Sequence, residues 1–174
     1  DAVALELLAT ILGSGRSSRL YQNIREQQGL CHHIAGWSSI SPGMTGLFAV
    51  SAIVDHDKRD ALQKAILKEI AKLPNSDFLA ELKKSTRMTL VSQFRTLATA
   101  SGRASDLASN WRDTRNLDFT RDYLDLISRV TPDDLQRVAR KYLVPQTLTI
   151  TSLDPEDSHE KALDQDHSVK RGAI

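Results

Sequence analysis

Residues 12–34 read LGSGRSSRLYQNIREQQGLCHHI, and how this stretch folds decides the architecture of the chain. Gly13-Ser14-Gly15 forms a glycine-punctuated loop that opens a short charged helix, and Gly29 closes that helix directly before a β-like run. The spacing predicts a helix over 16–28 with Ser17 or Ser18 as N-cap and Gly29 as the left-handed residue after the last turn. Leu20 and Ile24, with Tyr21 at their margin, fall on the inward side. Arg19 and Arg25 therefore lie on other faces, open to solvent or to a partner.

Upstream, residues 1–12 place Val3, Leu7, Leu8, Ile11 and Leu12 on one helical stripe that Gly13 ends. A chain that starts within helical pattern at Asp1 reads as an excised domain or a processed product. Downstream, residues 30–40 and 44–54 are strand-like. They flank Ser41-Pro42-Gly43, a sequence suited to a type II turn, so an antiparallel hairpin is expected.

The remainder is mostly helical. Asp55 or Asp57 is placed to cap a helix whose stripe is Ala61, Leu62, Ala65, Ile66, Ile70 and Leu73, stopped by Pro74. Ser76 is placed to cap a longer one carrying Leu79, Leu82, Thr86, Leu90, Phe94 and Leu97, which continues toward Trp111 with a break near Gly102. Residues 118–129 form a short helix with Phe119, Tyr123, Leu126 and Ile127 inward. Thr131-Pro132-Asp133-Asp134 is a strong helix start, with a Thr cap, Pro at the first helical position and acids at the positive end of the dipole. Leu135, Val138, Ala139, Tyr142 and Leu143 follow on one face. Residues 147–153 alternate as a final strand. The order predicts an α+β class, a mostly antiparallel sheet with helices packed on one face, as one domain over 1–153 with a polar tail over 154–174.

Composition narrows the function classes. The chain of 174 residues balances 23 Lys and Arg against 22 Asp and Glu, a formal net charge of +1, so it has no long-range field to attract nucleic acid or anionic lipid. No apolar run approaches the roughly 18 residues of a membrane span, which favours bacterial periplasm or cytoplasm over membrane as the location. The single Cys31 excludes an intramolecular disulfide.

No catalytic constellation is evident. His32 and His33 are adjacent and would point to opposite faces of a strand. No His-x-x-Glu-His or paired-Cys spacing exists, so no metal site is expected within the chain. Cys31 reads as a half-buried structural thiol, Gly13-Ser14-Gly15 as a helix-breaking turn without the full phosphate-loop pattern, and Trp37 and Trp111 as core residues.

Gly13-Ser14-Gly15-x-Ser17-Ser18-Arg19-Leu20, followed by Ile24-Arg25-Glu26-x-x-Gly29-Leu30, resembles the segment that opens the non-catalytic half of insulinase/pitrilysin-type zinc metallopeptidases and processing peptidases. The resemblance extends over the hairpin, the central helices and the Thr131-Pro132 helix ending at Tyr142-Leu143. It implies a processing-peptidase-like fold with no catalytic residue and no metal of its own. Zinc and the inverted His-x-x-Glu-His motif would belong to a homologous partner domain or subunit, and a peptide would be the substrate.

In that family the closing domain supplies an Arg and, seven positions on, a Tyr that hold the peptide or its reacting carbonyl. Arg25 matches the Arg, and His32 stands at the Tyr position. The imidazole is either a working substitute, able to donate a hydrogen bond, or a sign of lost activity. The resemblance thus implies a substrate-closing domain with Arg25 and His32 as substrate-binding residues. A catalytically inactive assembly subunit of the same fold is the alternative. The residues alone give Arg25 a plainer role, an ion pair with Glu26. Arg19 is expected to hold the loop, the strand edge after Gly29 to accept an extended peptide, and dimerisation is compatible with either reading.

Overall fold

The structure, a computed structural model, describes residues 1–39 and 45–154. The expected turn at 41–43 and the tail beyond 154 lie outside the described residues. The centre is α1 (Ala2–Gly13), which buries Ala4, Leu5, Leu7, Leu8, Ala9, Ile11 and Leu12 rather than a single stripe. A helix apolar nearly all round must be covered all round. The hairpin covers one side of α1, and α3 (Leu79–Leu97), α5 (Phe119–Arg129) and α6 (Pro132–Tyr142) cover the other.

The hairpin pairs β1 (His33–Ser39) with β2 (Leu47–Ile53) antiparallel, with Gly36 opposite Val50. Ile34 and Gly36, with the opposing Phe48, Val50 and Ala52, face the core. By strand alternation His33, Ala35 and Trp37, with Leu47, Ala49 and Ile53, face away from it. Trp37 is accordingly 44% exposed and Trp111 51% exposed. Both were expected in the core, and both lie on faces that no described element covers.

Helix positions agree with the sequence pattern better than caps do. Neither Asp55 nor Asp57 caps α2 (Arg59–Lys72), because a 3-10 turn over His56–Lys58 intervenes and no side-chain cap forms. Ser76 does not cap α3 either. Its hydroxyl donates to the Lys72 carbonyl at 2.9 Å and accepts from Arg19, while the Leu79 amide uses Asp77. The expected break falls at Thr99 rather than Gly102, and the Thr99 hydroxyl caps α4 (Ala100–Thr114) by accepting from the Gly102 amide. Phe119 and Leu126, expected inward on α5, are exposed, whereas Ile127 is buried.

The expected strand over 147–153 does not form. A 3-10 turn at Pro145–Thr147 gives way to a segment without regular structure, in which Leu148 and Ile150 are exposed. Alternation alone does not make a strand, since a strand also needs a neighbouring ladder to supply its hydrogen bonds.

At α6 the sequence and the structure coincide. The Thr131 hydroxyl accepts from the Asp134 amide, and the Asp134 carboxylate accepts from the Thr131 amide at 3.1 Å, completing a capping box. Thr131→Ala is expected to cost about 1 kcal/mol, read as a lower urea midpoint at unchanged slope. An unchanged midpoint would show that the box contributes nothing. The hydrogen bond from Thr131, and then the one from Arg137, hold the Asp134 carboxyl below its ordinary value. Its contribution is present above the unfolded carboxylate value and fades as pH falls through the lowered one. The penalty of Thr131→Ala should therefore shrink on acidification.

Candidate functional site

The segment after Gly15 folds as a helix whose centre, Tyr21–Glu26, is a π-helix, not the plain α-helix expected over 16–28. The Gln27 amide donates to the Gln22 carbonyl, five residues back, at 3.0 Å. The wide turn is rare and concentrates at functional positions. Leu20 and Ile24 anchor it in the core with no exposed surface. Ser18 does not cap it, because its buried hydroxyl donates to the Gly15 carbonyl at 2.8 Å. Gly29 does take the left-handed conformation that closes the helix, with φ of 61°.

Arg19 is locked into structure. Its Nε donates to Glu81 Oε1 at 2.8 Å, its Nη1 to Ser76 Oγ at 2.7 Å and its Nη2 to the Asp77 carbonyl at 3.1 Å, and the guanidinium lies 4.7 Å over the buried Phe78 ring. With only 18% of its side chain exposed, it ties the loop to the junction before α3. Phe78, fully buried at this junction, escaped the sequence reading because it lies between elements, off any helical stripe.

Arg25 is held differently. Its Nε donates to the His32 main-chain carbonyl at 2.8 Å, and its Nη1 reaches both Tyr21 Oη and Glu26 Oε1, the latter at 2.6 Å. The guanidinium also stacks 4.7 Å over the Tyr21 ring. About a third of the side chain remains exposed, 34%, so the group is oriented yet open to a ligand. The Glu26 pair foreseen from sequence exists, but as one of three contacts. The neighbour the sequence reading did not assign to the site is Tyr21. Its phenol oxygen accepts from Arg25 and from Arg16 Nε at 3.2 Å, which leaves its own O–H free to donate. The available signal was the four-residue spacing of Tyr21 and Arg25, which puts the two on one helix face.

His32 meets Arg25 through its backbone and sends its ring elsewhere. Its Nε2 lies 2.8 Å from Asp55 Oδ1, and Lys58 approaches the other Asp55 oxygen at 3.3 Å. The hydrogen bond from His32, and then the one from Lys58, draw the Asp55 carboxyl below its ordinary value. The His32 and Asp55 side chains are both exposed. Cys31 is half-buried, and burial pushes its thiol up against the opposing pull of Arg25. A thiol kept protonated is a poor nucleophile.

Among the described residues, no group of three or more His, Cys, Asp or Glu side chains could hold a metal ion, and no helix is long and apolar enough to cross a membrane.

Comparison with known proteins identifies the fold and the family. In structure, the chain is similar to a protease from Helicobacter pylori, with a TM-score of 0.75 at 24% identity over 84% of this chain and 35% of that one. It is also similar to a peptidase M16 inactive domain from Pseudomonas fluorescens, with a TM-score of 0.67 at 21% identity over 81% of this chain and 33% of that one. At such identities these likenesses speak to the fold alone. In sequence, it is 28% identical over 155 residues to a Rickettsia felis protein described as an uncharacterized zinc protease, covering 87% of this chain and 36% of that protein. The chain thus spans little more than a third of that relative. The family model for the peptidase M16 inactive domain matches residues 1–90, just over half of the 174, and the chain belongs to that family.

Proposed function

We propose that this chain is the substrate-closing half of a zinc-dependent peptidase, binding peptide while a homologous zinc-bearing domain or subunit hydrolyses it. The observation that carries the reading is Arg25, a guanidinium pinned by Tyr21, Glu26 and the His32 carbonyl at the head of β1, yet partly open. A preorganised donor of this kind suits a peptide carbonyl oxygen, whose growing negative charge it would stabilise without rearranging. Extended peptide along the edge of β1 would add main-chain hydrogen bonds, and the outward row of Ala35 and Trp37 would meet alternate side chains. Zinc supplies the activated water or polarised carbonyl of such a reaction, and here it would be held by the partner half.

One observation favours the second reading, an inactive assembly subunit of the same fold. His32 stands where the family has Tyr, and its Nε2 is engaged with Asp55, so only Nδ1 is left to face a substrate.

The two readings separate in one comparison. The full-length protein, or the two subunits together, should cleave unstructured peptides with a chelator-sensitive kcat/KM, and the zinc-bearing half alone should lose at least about tenfold of it, the equivalent of one good interaction. Equal kcat/KM with and without this domain would remove it from the reaction and leave the assembly role.

A further inference from the structure

The hairpin of α3 and α4 is sparsely buried beyond its first turns. From Thr86 to Thr114, Asn110 alone is buried. Gln93 Nε2 donates to Asp106 Oδ1 at 3.3 Å across the two helices, and the less exposed positions beside it, Leu90 and Leu97 on α3 and Gly102 and Asn110 on α4, mark the sides turned toward each other and the rest of the fold. Helical periodicity then places Val91 and Phe94 on the same side as Leu107 and Trp111, the side turned away from α1. All four are exposed, Phe94 at 63%. Four large apolar side chains exposed on one side of two adjacent helices are the kind of surface that marks an interaction site.

Charge says which partner. Arg87 and Arg95 flank the patch on α3, and Arg115 lies with its guanidinium 5.5 Å over the Trp111 ring. Among the described residues none of the three meets a carboxylate, as is also true of Arg16, Arg103, Arg129 and Arg140, but only these three border the patch and leave its rim with uncompensated positive charge. A second copy presenting this same face would bring arginines against arginines, and like charges across an interface are costly.

We infer that the Val91–Phe94–Leu107–Trp111 face docks an amphipathic segment from outside residues 1–174, one with an apolar stripe edged by Asp and Glu that meets the arginine rim. In the Rickettsia felis relative, about two and a half times as long as this chain, such a segment has room within a single polypeptide.

Photocrosslinking of the full-length protein carrying Phe94→p-benzoylphenylalanine tests this, with mass spectrometry of the products. An exposed position tolerates the substitution, and an unchanged melting temperature verifies it. The expected product joins residue 94 to a peptide from outside residues 1–174 that carries both apolar and acidic residues. Arg87→Glu with Arg95→Glu should lower its yield about tenfold at low salt. Crosslinks to 79–114 of a second copy, to residues 155–174, to lipid or to nothing would each overturn the inference. So would a captured segment without carboxylates, or a yield indifferent to the charge reversal.

Discussion

Gly13→Ala is expected to be strongly destabilising. A Cβ at Gly13 would stand 1.9 Å from the Gly36 nitrogen and 2.3 Å from its Cα, with the Ala35 carbonyl carbon at 2.9 Å. These are backbone atoms of β1, which no rotamer change can move aside. The opposing term is helix propensity, where Ala gains about 1 kcal/mol over Gly. Forcing the last turn of α1 off the sheet costs about 2–4 kcal/mol, because overpacking displaces a well-filled core. Sterics therefore win, against a total stability of about 5–15 kcal/mol for an ordinary domain. Urea denaturation followed by far-UV circular dichroism should show a clearly lowered midpoint. Gly36→Ala is the informative control, since its Cβ meets the Gly13 Cα at 3.2 Å and needs only a small adjustment. Gly15→Ala, with φ of 79° but open space around it, should cost only about 1 kcal/mol. If Gly13→Ala were no worse than Gly15→Ala, the contact between α1 and β1 would not be tight in solution.

That comparison also shows what the sequence could and could not reveal. Gly13 reads naturally as a helix stop, yet it is the last residue inside α1, and it is glycine because a strand crosses there. A contact between residues 13 and 36 has no local signature. Local signals fared well where the physics is local, as at the Thr131 capping box and the left-handed Gly29. They failed where burial depends on distant elements. Phe94, Leu126 and Trp111 lie on helices with good apolar periodicity and are exposed, because periodicity shows that a face wants cover without naming what supplies it. The strand expected over 147–153 failed for the same reason, since its alternation meets no ladder among the described residues.

The site was legible in part. The position of Arg25 and its pair with Glu26 could be read from the sequence. Its bond to the His32 carbonyl could not, because it depends on how the π-turn delivers the chain into β1. The His32–Asp55 contact joins residues 23 apart across the foot of the hairpin, and only folding reveals that the imidazole is engaged there. Helical spacing puts Tyr21 at the margin of the core. The structure makes it instead the platform on which Arg25 rests.

Arg25→Ala in the full-length protein is expected to lower kcat/KM for peptide hydrolysis by about 10²–10³, the usual cost of deleting one preorganised donor to a developing oxyanion. The loss should be largely in kcat if the guanidinium acts on the transition state, and in KM if it only holds the ground-state peptide. Stability should change little, by about 1 kcal/mol, because a partly exposed ion pair and a surface hydrogen bond each contribute modestly. Arg25→Lys separates charge from geometry. An ammonium cannot donate through a rigid fork to the His32 carbonyl and Tyr21 together, so only part of the activity should return. Tyr21→Phe keeps the ring beneath the guanidinium but removes the hydroxyl that fixes Nη1. It should lower kcat by about tenfold at an unchanged melting temperature, the pattern of a positioning residue. Wild-type kinetics for a folded Arg25→Ala protein would take Arg25 out of the reaction. A collapse of the melting temperature with the activity would make its role structural. Either result would shift the weight to the assembly reading that the engaged His32 ring already favours.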